Sequence, residues 1–96
     1  MEVTYASGVL DEVSESAAYY EEEVEGLGKA FLRKVADAVN DVKDNPLMYR
    51  IVENEYRRHL LSRFPFAVVY RIANGKLYVV AVMHCKRVPY YWKDRE

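Results

Sequence analysis

The chain has 96 residues, of which 51% are apolar and 30% are charged, an ordinary composition for a globular protein. This length provides buried surface for one hydrophobic core, so we expect a single domain over residues 1–96. The net charge of −1 argues against nucleic-acid binding by global attraction. The absence of a signal peptide and of an apolar run of about 20 residues predicts a cytoplasmic protein without a membrane partner.

Charge is distributed unevenly along the chain. Residues 1–48 contain 11 acidic and 4 basic side chains, a balance of −7, whereas residues 49–96 contain 4 acidic and 10 basic side chains, a balance of +6. An anionic partner must therefore contact the second half. The sequence favours an acidic protein surface over nucleic acid as that partner.

The N-terminal half predicts a short edge strand at Glu2–Tyr5 followed by a helix. Apolar residues at steps of three and four form its inward stripe: Leu10, Val13, Ala17, Tyr20 and Val24. The acidic residues of this helix, Glu12 and Glu21 among them, are interpreted as a solvated surface, with a patch for a basic partner as the alternative. The sequence Gly26-Leu27-Gly28 ends the helix, because glycine adopts the left-handed C-cap conformation.

A second helix follows at once and ends before Asn45-Pro46, since proline cannot continue the helical ladder. Its inward residues are Phe31, Val35, Ala38 or Val39, and Val42. Two helices with so short a connection must lie antiparallel, as a helical hairpin. The segment Leu47–Tyr56 has no clear period and is predicted to be a loop.

Three strands are predicted after this loop. Phe66–Ile72 alternates between two faces, Asn74-Gly75 favours a type I′ turn, and Leu77–Met83 runs back beside the first strand. Arg57–Arg63 pairs with the other edge of Phe66–Ile72. The predicted fold is α+β, with an N-terminal helical hairpin packed on a small antiparallel β-sheet that combines the short first strand with a three-stranded meander.

The tail after the last strand cannot extend that strand inward, because Pro89 lacks a backbone donor. We expect the tail to cross the sheet or to lie along its edge. Cys85 is the single cysteine and is interpreted as a bystander. The two histidines and Cys85 are too few and wrongly spaced for a zinc site, so we expect no metal and no cofactor.

Basic and aromatic residues gather near one end of the predicted sheet. Since the first and third strands of an antiparallel meander end at the same edge, Arg63 and the segment His84–Arg87 are expected to share a surface. Such a surface suits a phosphate or an acidic peptide, and a solvated rim over the core is the alternative. The candidate partner-binding residues are Arg57, Arg58, Arg63, Arg87, Tyr90, Tyr91 and Trp92.

The order of these features resembles the RelE/ParE superfamily of toxins from bacterial type II toxin–antitoxin modules. The resemblance is carried by Tyr19-Tyr20-Glu21-Glu22, Gly26-Leu27-Gly28, Asn45-Pro46, Arg63-Phe64-Pro65-Phe66, Tyr70, His84, Lys86-Arg87, Pro89 and Trp92. It implies a helical hairpin on an antiparallel sheet and a cognate antitoxin that blocks the toxin. The oligomeric state is left open, with a homo-oligomer among the alternatives.

Two activities are implied by the resemblance. The RelE branch cleaves messenger RNA on the ribosome without a metal, using basic residues and a tail tyrosine, whereas the ParE branch poisons DNA gyrase. RelE-type toxins have an arginine after the aromatic residue that opens the central strand, but here Ala67 follows Phe66. The loss of that phosphate-binding group favours a ParE-like, non-enzymatic gyrase inhibitor.

Two alternatives remain. One is a ribosome-dependent mRNA interferase, for which the candidate catalytic residues are Arg58, Arg63, His84, Arg87 and Tyr91. In this reading Arg87 matches the basic residue after the last strand, while the tail tyrosine of the RelE branch falls near Lys93, so that Tyr91 would have to take its place. The other is an attenuated toxin that only forms the antitoxin complex. The role of His84, as a functional group or as a cap on the last strand, is left open.

Overall fold

The computed structural model describes residues 1–95, which form two helices on one side of a five-stranded sheet. The elements are β1 (Glu2–Tyr5), α1 (Val9–Glu23), α2 (Leu27–Asp44), β2 (Arg50–Glu53), β3 (Tyr56–Leu60), β4 (Phe66–Ala73) and β5 (Lys76–His84). The strand order is β1-β5-β4-β3-β2. Within residues 1–95, no helix is both long and apolar enough to cross a membrane.

The predicted α+β class and the helical hairpin on a sheet are confirmed, but the sheet is mixed rather than antiparallel. β1 pairs with β5 in parallel, while the pairs β2–β3, β3–β4 and β4–β5 are antiparallel. The helical hairpin returns the chain to the end of the sheet where β1 finishes, so β2 runs antiparallel to β1. The three reversals from β2 to β5 then make β5 parallel to β1.

The prediction of a loop over residues 47–56 was wrong, because this segment contains the edge strand β2. Arg50 lies opposite Arg58 and Ile51 lies opposite Arg57, with an irregularity in register before Glu53. A four-residue edge strand carries little periodicity, and its stability comes from the pairing with β3. β3 ends at Leu60, so Arg63 lies in the β3–β4 turn with a φ of 77° instead of within a strand.

The inward stripe of α1 differs from the predicted one at its ends. Val9, Val13 and Ala17 are buried, whereas Leu10 is 59% exposed and Val24 is also exposed. Both Val9 and Leu10 are spaced three or four residues from Val13, so periodicity allows either choice. The packing of α1 on the sheet selects Val9.

The junction between the helices depends on one of the glutamates interpreted as solvated. The carboxylate of Glu21 accepts hydrogen bonds from the backbone N–H groups of Gly26, at 2.8 Å, and of Gly28, at 3.0 Å. These are donors at the start of α2 that have no partner within the helix. Glu21 therefore caps α2, and Gly26 turns the chain with a φ of 84°.

The sheet has an inner face, toward the helices, and an outer face. Phe66, Val68 and Tyr70 of β4 join the core beneath α1 and α2, while Ala67 and Val69 join a second cluster on the outer face. The predicted alternation of β4 is therefore confirmed. The outer cluster also contains Val80, Ala81, Met83 and Trp92.

The hairpin between β4 and β5 turns at Asn74 and Gly75, with φ values of 54° and 71°, as the sequence predicts. Further along, the register shifts between Val69 and Tyr70, so that β5 contains an extra residue. Val80 and Ala81 consequently both join the outer cluster. This bulge is concealed in the sequence because nearly every residue of β5 is apolar.

Candidate functional site

The C-terminal tail crosses the outer face, as one of the two predicted alternatives requires. The hydroxyl of Tyr90 donates to the carbonyl of Val52 in β2, at 3.2 Å. The ring of Trp92 lies 4.6 Å from that of Tyr56, and Trp92 is only 2% exposed. Trp92 thus belongs to the packing between tail and sheet, and its predicted contact with a partner stays a prediction.

Glu12 of α1 fixes this tail in place. Its carboxylate accepts hydrogen bonds from Arg87 at 3.0 Å, from the Tyr91 hydroxyl at 2.7 Å and from two nitrogens of Arg95 at 2.8 and 2.9 Å. The guanidinium of Arg95 also donates to the carbonyl of Val80 at the bulge of β5. The prediction that Glu12 is a solvated residue was therefore wrong, and its side chain is 13% exposed.

The electrostatics of this group, the Glu12 cluster (Glu12, Arg87, Tyr91 and Arg95), favour a charged carboxylate. Burial alone raises the pKa of Glu12, but hydrogen bonds from Arg95 and Tyr91 and the charges of Arg95 and Arg87 lower it below its ordinary value. Burial, followed by the hydrogen bond to Glu12, raises the pKa of the Tyr91 phenol. Both guanidiniums lie over the Tyr91 ring, with that of Arg87 3.6 Å from the centroid.

Between the tail and the sheet lies a groove of about 220 Å³, which we call the outer-face groove. Three basic residues, Arg50, Arg58 and Arg87, contribute to its lining. Apolar side chains form much of the remaining lining: Val52, Val69, Met83, Pro89 and Trp92. Tyr90 and the exposed Cys85 complete it. A groove with this lining suits an anionic ligand that also presents apolar groups.

The structure separates the predicted basic surface into two parts. Arg58 and Arg87 meet at the outer-face groove. His84 lies opposite Phe66, its ring centroid 5.2 Å from that of Phe66, and therefore projects from the inner face. The guanidinium of Arg63 lies 5.6 Å from the centroid of Phe64, a residue of the inner core. The expectation that Arg63, His84 and Arg87 share one surface was wrong.

Two further sequence candidates have contacts within the fold. His84 accepts a hydrogen bond at Nδ1 from the backbone N–H of Lys86, at 3.0 Å, which fits the predicted cap on the last strand. Arg57 donates to the carbonyls of Leu47 and Tyr49, at 3.1 and 2.7 Å, and so fastens the segment before β2.

Sequence reasoning missed Glu12, Arg50 and Arg95 as members of this region. Arg50 was assigned to a loop, and Arg95 lies at the end of a tail without a regular pattern. The opposite charges of the two halves were the available signal, since they indicate long-range ion pairs without naming the partners. Within residues 1–95, no three His, Cys, Asp or Glu side chains form a group that could hold a metal ion.

Comparison with known proteins adds an independent finding. Residues 3–89 match the family model described as "ParE toxin of type II toxin-antitoxin system, parDE". The fold is similar to that of a solved structure described as "Chromosomal ParDE TA system from P. aeruginosa", with a TM-score of 0.66 and 20% identity. The match covers 88% of this chain and 95% of that chain, and at this identity it supports the fold alone. No curated protein matches the sequence.

Proposed function

The chain belongs to the ParE toxin family of type II toxin–antitoxin systems, and from that premise we propose that it inhibits bacterial growth by acting on DNA gyrase. In the same proposal a cognate antitoxin protein binds the toxin and neutralises it. Such a target requires a cytoplasmic location. The observation that carries the proposal is the family match over residues 3–89, which extends through the helical hairpin, the sheet and the start of the tail.

The distribution of basic side chains supports an inhibitor over an RNA-cleaving enzyme. An endoribonuclease that works without a metal needs its donors and proton-transfer groups within reach of one phosphodiester. Here His84 projects from the inner face, while Arg58 and Arg87 line the outer-face groove. The hydroxyl of Tyr91, the candidate tail tyrosine, already donates a hydrogen bond to the Glu12 carboxylate, at 2.7 Å.

The contacts with partners are proposed to involve the outer-face groove. Arg58, Arg87 and Tyr90 retain the partner-binding role predicted from the sequence, because all three line the groove. Arg57 acts instead within the fold, through the carbonyls before β2. Trp92 also lines the groove, where its ring packs on Tyr56.

The proposal is tested by inducing the chain alone in a susceptible bacterium and by assaying the purified protein. We expect growth arrest with damaged or stalled chromosomes, and loss of supercoiling or trapped DNA cleavage by purified gyrase. Co-expression of the protein encoded by the adjacent gene should restore growth.

Two other outcomes would replace the proposal. Rapid loss of translation with codon-phased cuts in messenger RNA would identify an mRNA interferase. Undisturbed growth, together with tight binding of the adjacent gene product, would identify an attenuated toxin that only forms the complex. A chain that neither arrests growth nor binds that product would contradict the toxin–antitoxin assignment itself.

A further inference from the structure

The outer-face groove contains positive charge that the fold itself does not neutralise. Arg50 and Arg58 lie directly opposite each other on β2 and β3, where like charges destabilise a sheet. Neither side chain makes a hydrogen bond or an ion pair within residues 1–95. This pair therefore opposes folding slightly, and its position at a groove indicates a ligand that supplies the missing negative charge.

A third guanidinium is only partly neutralised. Arg87 is 49% exposed and its partner, Glu12, also receives Arg95 and Tyr91. Arg87 also lines the groove, so its exposed part is available to a ligand there. Arginine guanidiniums bind carboxylates with two parallel hydrogen bonds, which adds geometric specificity to the attraction.

We propose that the outer-face groove binds an extended acidic segment of a partner protein, in which carboxylate side chains alternate with aliphatic ones. The carboxylates pair with Arg50, Arg58 and Arg87, and the aliphatic side chains pack on Val69 and Met83 at the floor of the groove. The inference rests on the proposed function only in taking the partner to be a protein.

Two observations favour a peptide over a nucleic acid. Two of the three tail rings that could stack on bases are already engaged, because Trp92 packs on Tyr56 and both Arg87 and Arg95 lie over Tyr91. The third, Tyr90, contacts Trp92 edge-on. In addition, β2 is the last strand of the sheet. Its edge offers backbone groups that an extended peptide can pair with, although the Val52 carbonyl already accepts from Tyr90.

The test uses the purified chain labelled with ¹⁵N and requires neither gyrase nor antitoxin. Trp92 is the single tryptophan and lines the groove, so its indole N–H signal reports on occupancy. Three probes are titrated: a peptide that alternates glutamate and valine, the same peptide with glutamine for glutamate, and a short single-stranded RNA. The variants are Arg50→Ala and Arg58→Ala, with the exposed Arg33→Ala of α2 as the matched control.

We expect the glutamate peptide alone to shift the Trp92 signal, with about tenfold weaker binding in Arg58→Ala and unchanged binding in Arg33→Ala. Thermal stability of Arg58→Ala should stay equal or rise, since the substitution removes the repulsion from Arg50. Equal binding of the glutamine peptide, preferential binding of the RNA, or no response to any probe would overturn the proposal. The comparison of peptides is made on the unaltered chain and does not depend on how a variant folds. Failure to inhibit gyrase would leave this inference standing.

Discussion

At the scale of single residues, Glu12 has more influence on the tail than any pattern in its own helix indicates. Its carboxylate accepts hydrogen bonds from Arg87, Tyr91 and Arg95, which lie about 80 positions away along the chain. Local periodicity describes only the neighbours on a helix, so it places Glu12 on the solvent side. The tail supplies one wall of the outer-face groove, and Glu12 therefore acts on that groove indirectly, as a positioning residue.

We predict that Glu12→Gln loosens the tail without unfolding the sheet. The neutral amide retains the shape but loses the charge-assisted hydrogen bonds, which should lower the free energy of unfolding by about 1 to 2 kcal/mol because the cluster is partly open to solvent. The fluorescence of Trp92 should shift to longer wavelength as its ring becomes wetter. Glu15→Gln, at an exposed position of the same helix, is the control. Identical spectra and unfolding curves for both variants would contradict the role of Glu12.

The pH dependence of the tail follows from the lowered pKa of Glu12. A carboxyl whose pKa is lower in the folded chain contributes stability that is present above its ordinary pKa of 4.5 and is lost as the pH falls through the folded value. The packing of the tail on the sheet should therefore persist at neutral pH and weaken in acid below about pH 4.5. Trp92 fluorescence measures this change. Glu12→Gln should flatten this acid transition, and an unaltered transition would assign it to other carboxyls.

On the inner face, Tyr70 joins distant parts of the chain as Glu12 does for the tail. Its ring is fully buried and its hydroxyl donates to the carbonyl of Pro46, at 2.6 Å, which ties the end of the helical hairpin to the central strand. We predict that Tyr70→Phe destabilises the fold by about 1 to 3 kcal/mol, because the Pro46 carbonyl loses a buried partner. Chemical denaturation measures this change, with the exposed Tyr19→Phe as control.

The Tyr70 hydroxyl also makes the stability of the fold depend on pH in the alkaline range. Burial raises the pKa of Tyr70 to about 12. A raised pKa contributes stability that is complete below the ordinary value of 10 and is lost as the pH rises toward 12. Tyr70→Phe should therefore be less stable than the unaltered chain at neutral pH, and this difference should shrink in strong alkali. A constant difference across that range would count against the assignment.

At the scale of elements, the close contact of α1 with α2 depends on Gly28. A Cβ at this position would clash with the backbone carbonyl oxygen of Ala17. Alanine is normally better than glycine in a helix by about 1 kcal/mol, but here we predict that Gly28→Ala destabilises the fold by about 1 to 3 kcal/mol because the helices must separate. Ala36→Gly, at an exposed position of α2, measures the difference in helix propensity between alanine and glycine for comparison. A gain in stability for Gly28→Ala would show that the helices adjust freely.

The elements with strong local signals were predictable from the sequence. Steps of three and four residues identified both helices, and the alternation of β4 with its Asn74-Gly75 turn identified the central hairpin. β2 was missed since Ile51 and Val52 are adjacent apolar residues without alternation, and its existence depends on pairing with β3. The outer-face groove was only partly predictable, because its residues come from separate strands and from the tail.

At the scale of the whole molecule, the opposite charges of the two halves of the chain correspond to different parts of the fold. The acidic first half forms β1, the two helices and their connections, while the basic second half forms the other four strands and the tail. Arg87 and Arg95 of the tail form ion pairs with Glu12 of α1, which accounts for part of the opposite charge of the two halves. Part of the charge that remains lies at the outer-face groove, which Arg50 and Arg58 line, whereas His84 projects from the inner face.

This difference gives the last prediction, which concerns gyrase. If the outer-face groove contacts the target, Arg58→Ala and Arg87→Ala should each weaken inhibition of purified gyrase by about tenfold, since each removes one charge-assisted contact. His84→Ala, at the inner face, should leave inhibition nearly unchanged. Supercoiling assays over a range of inhibitor concentrations measure the three effects. Circular dichroism establishes that each variant remains folded, which matters most for Arg87→Ala because Arg87 also pairs with Glu12. Loss of inhibition in His84→Ala with full activity in both arginine variants would move the target site to the inner face.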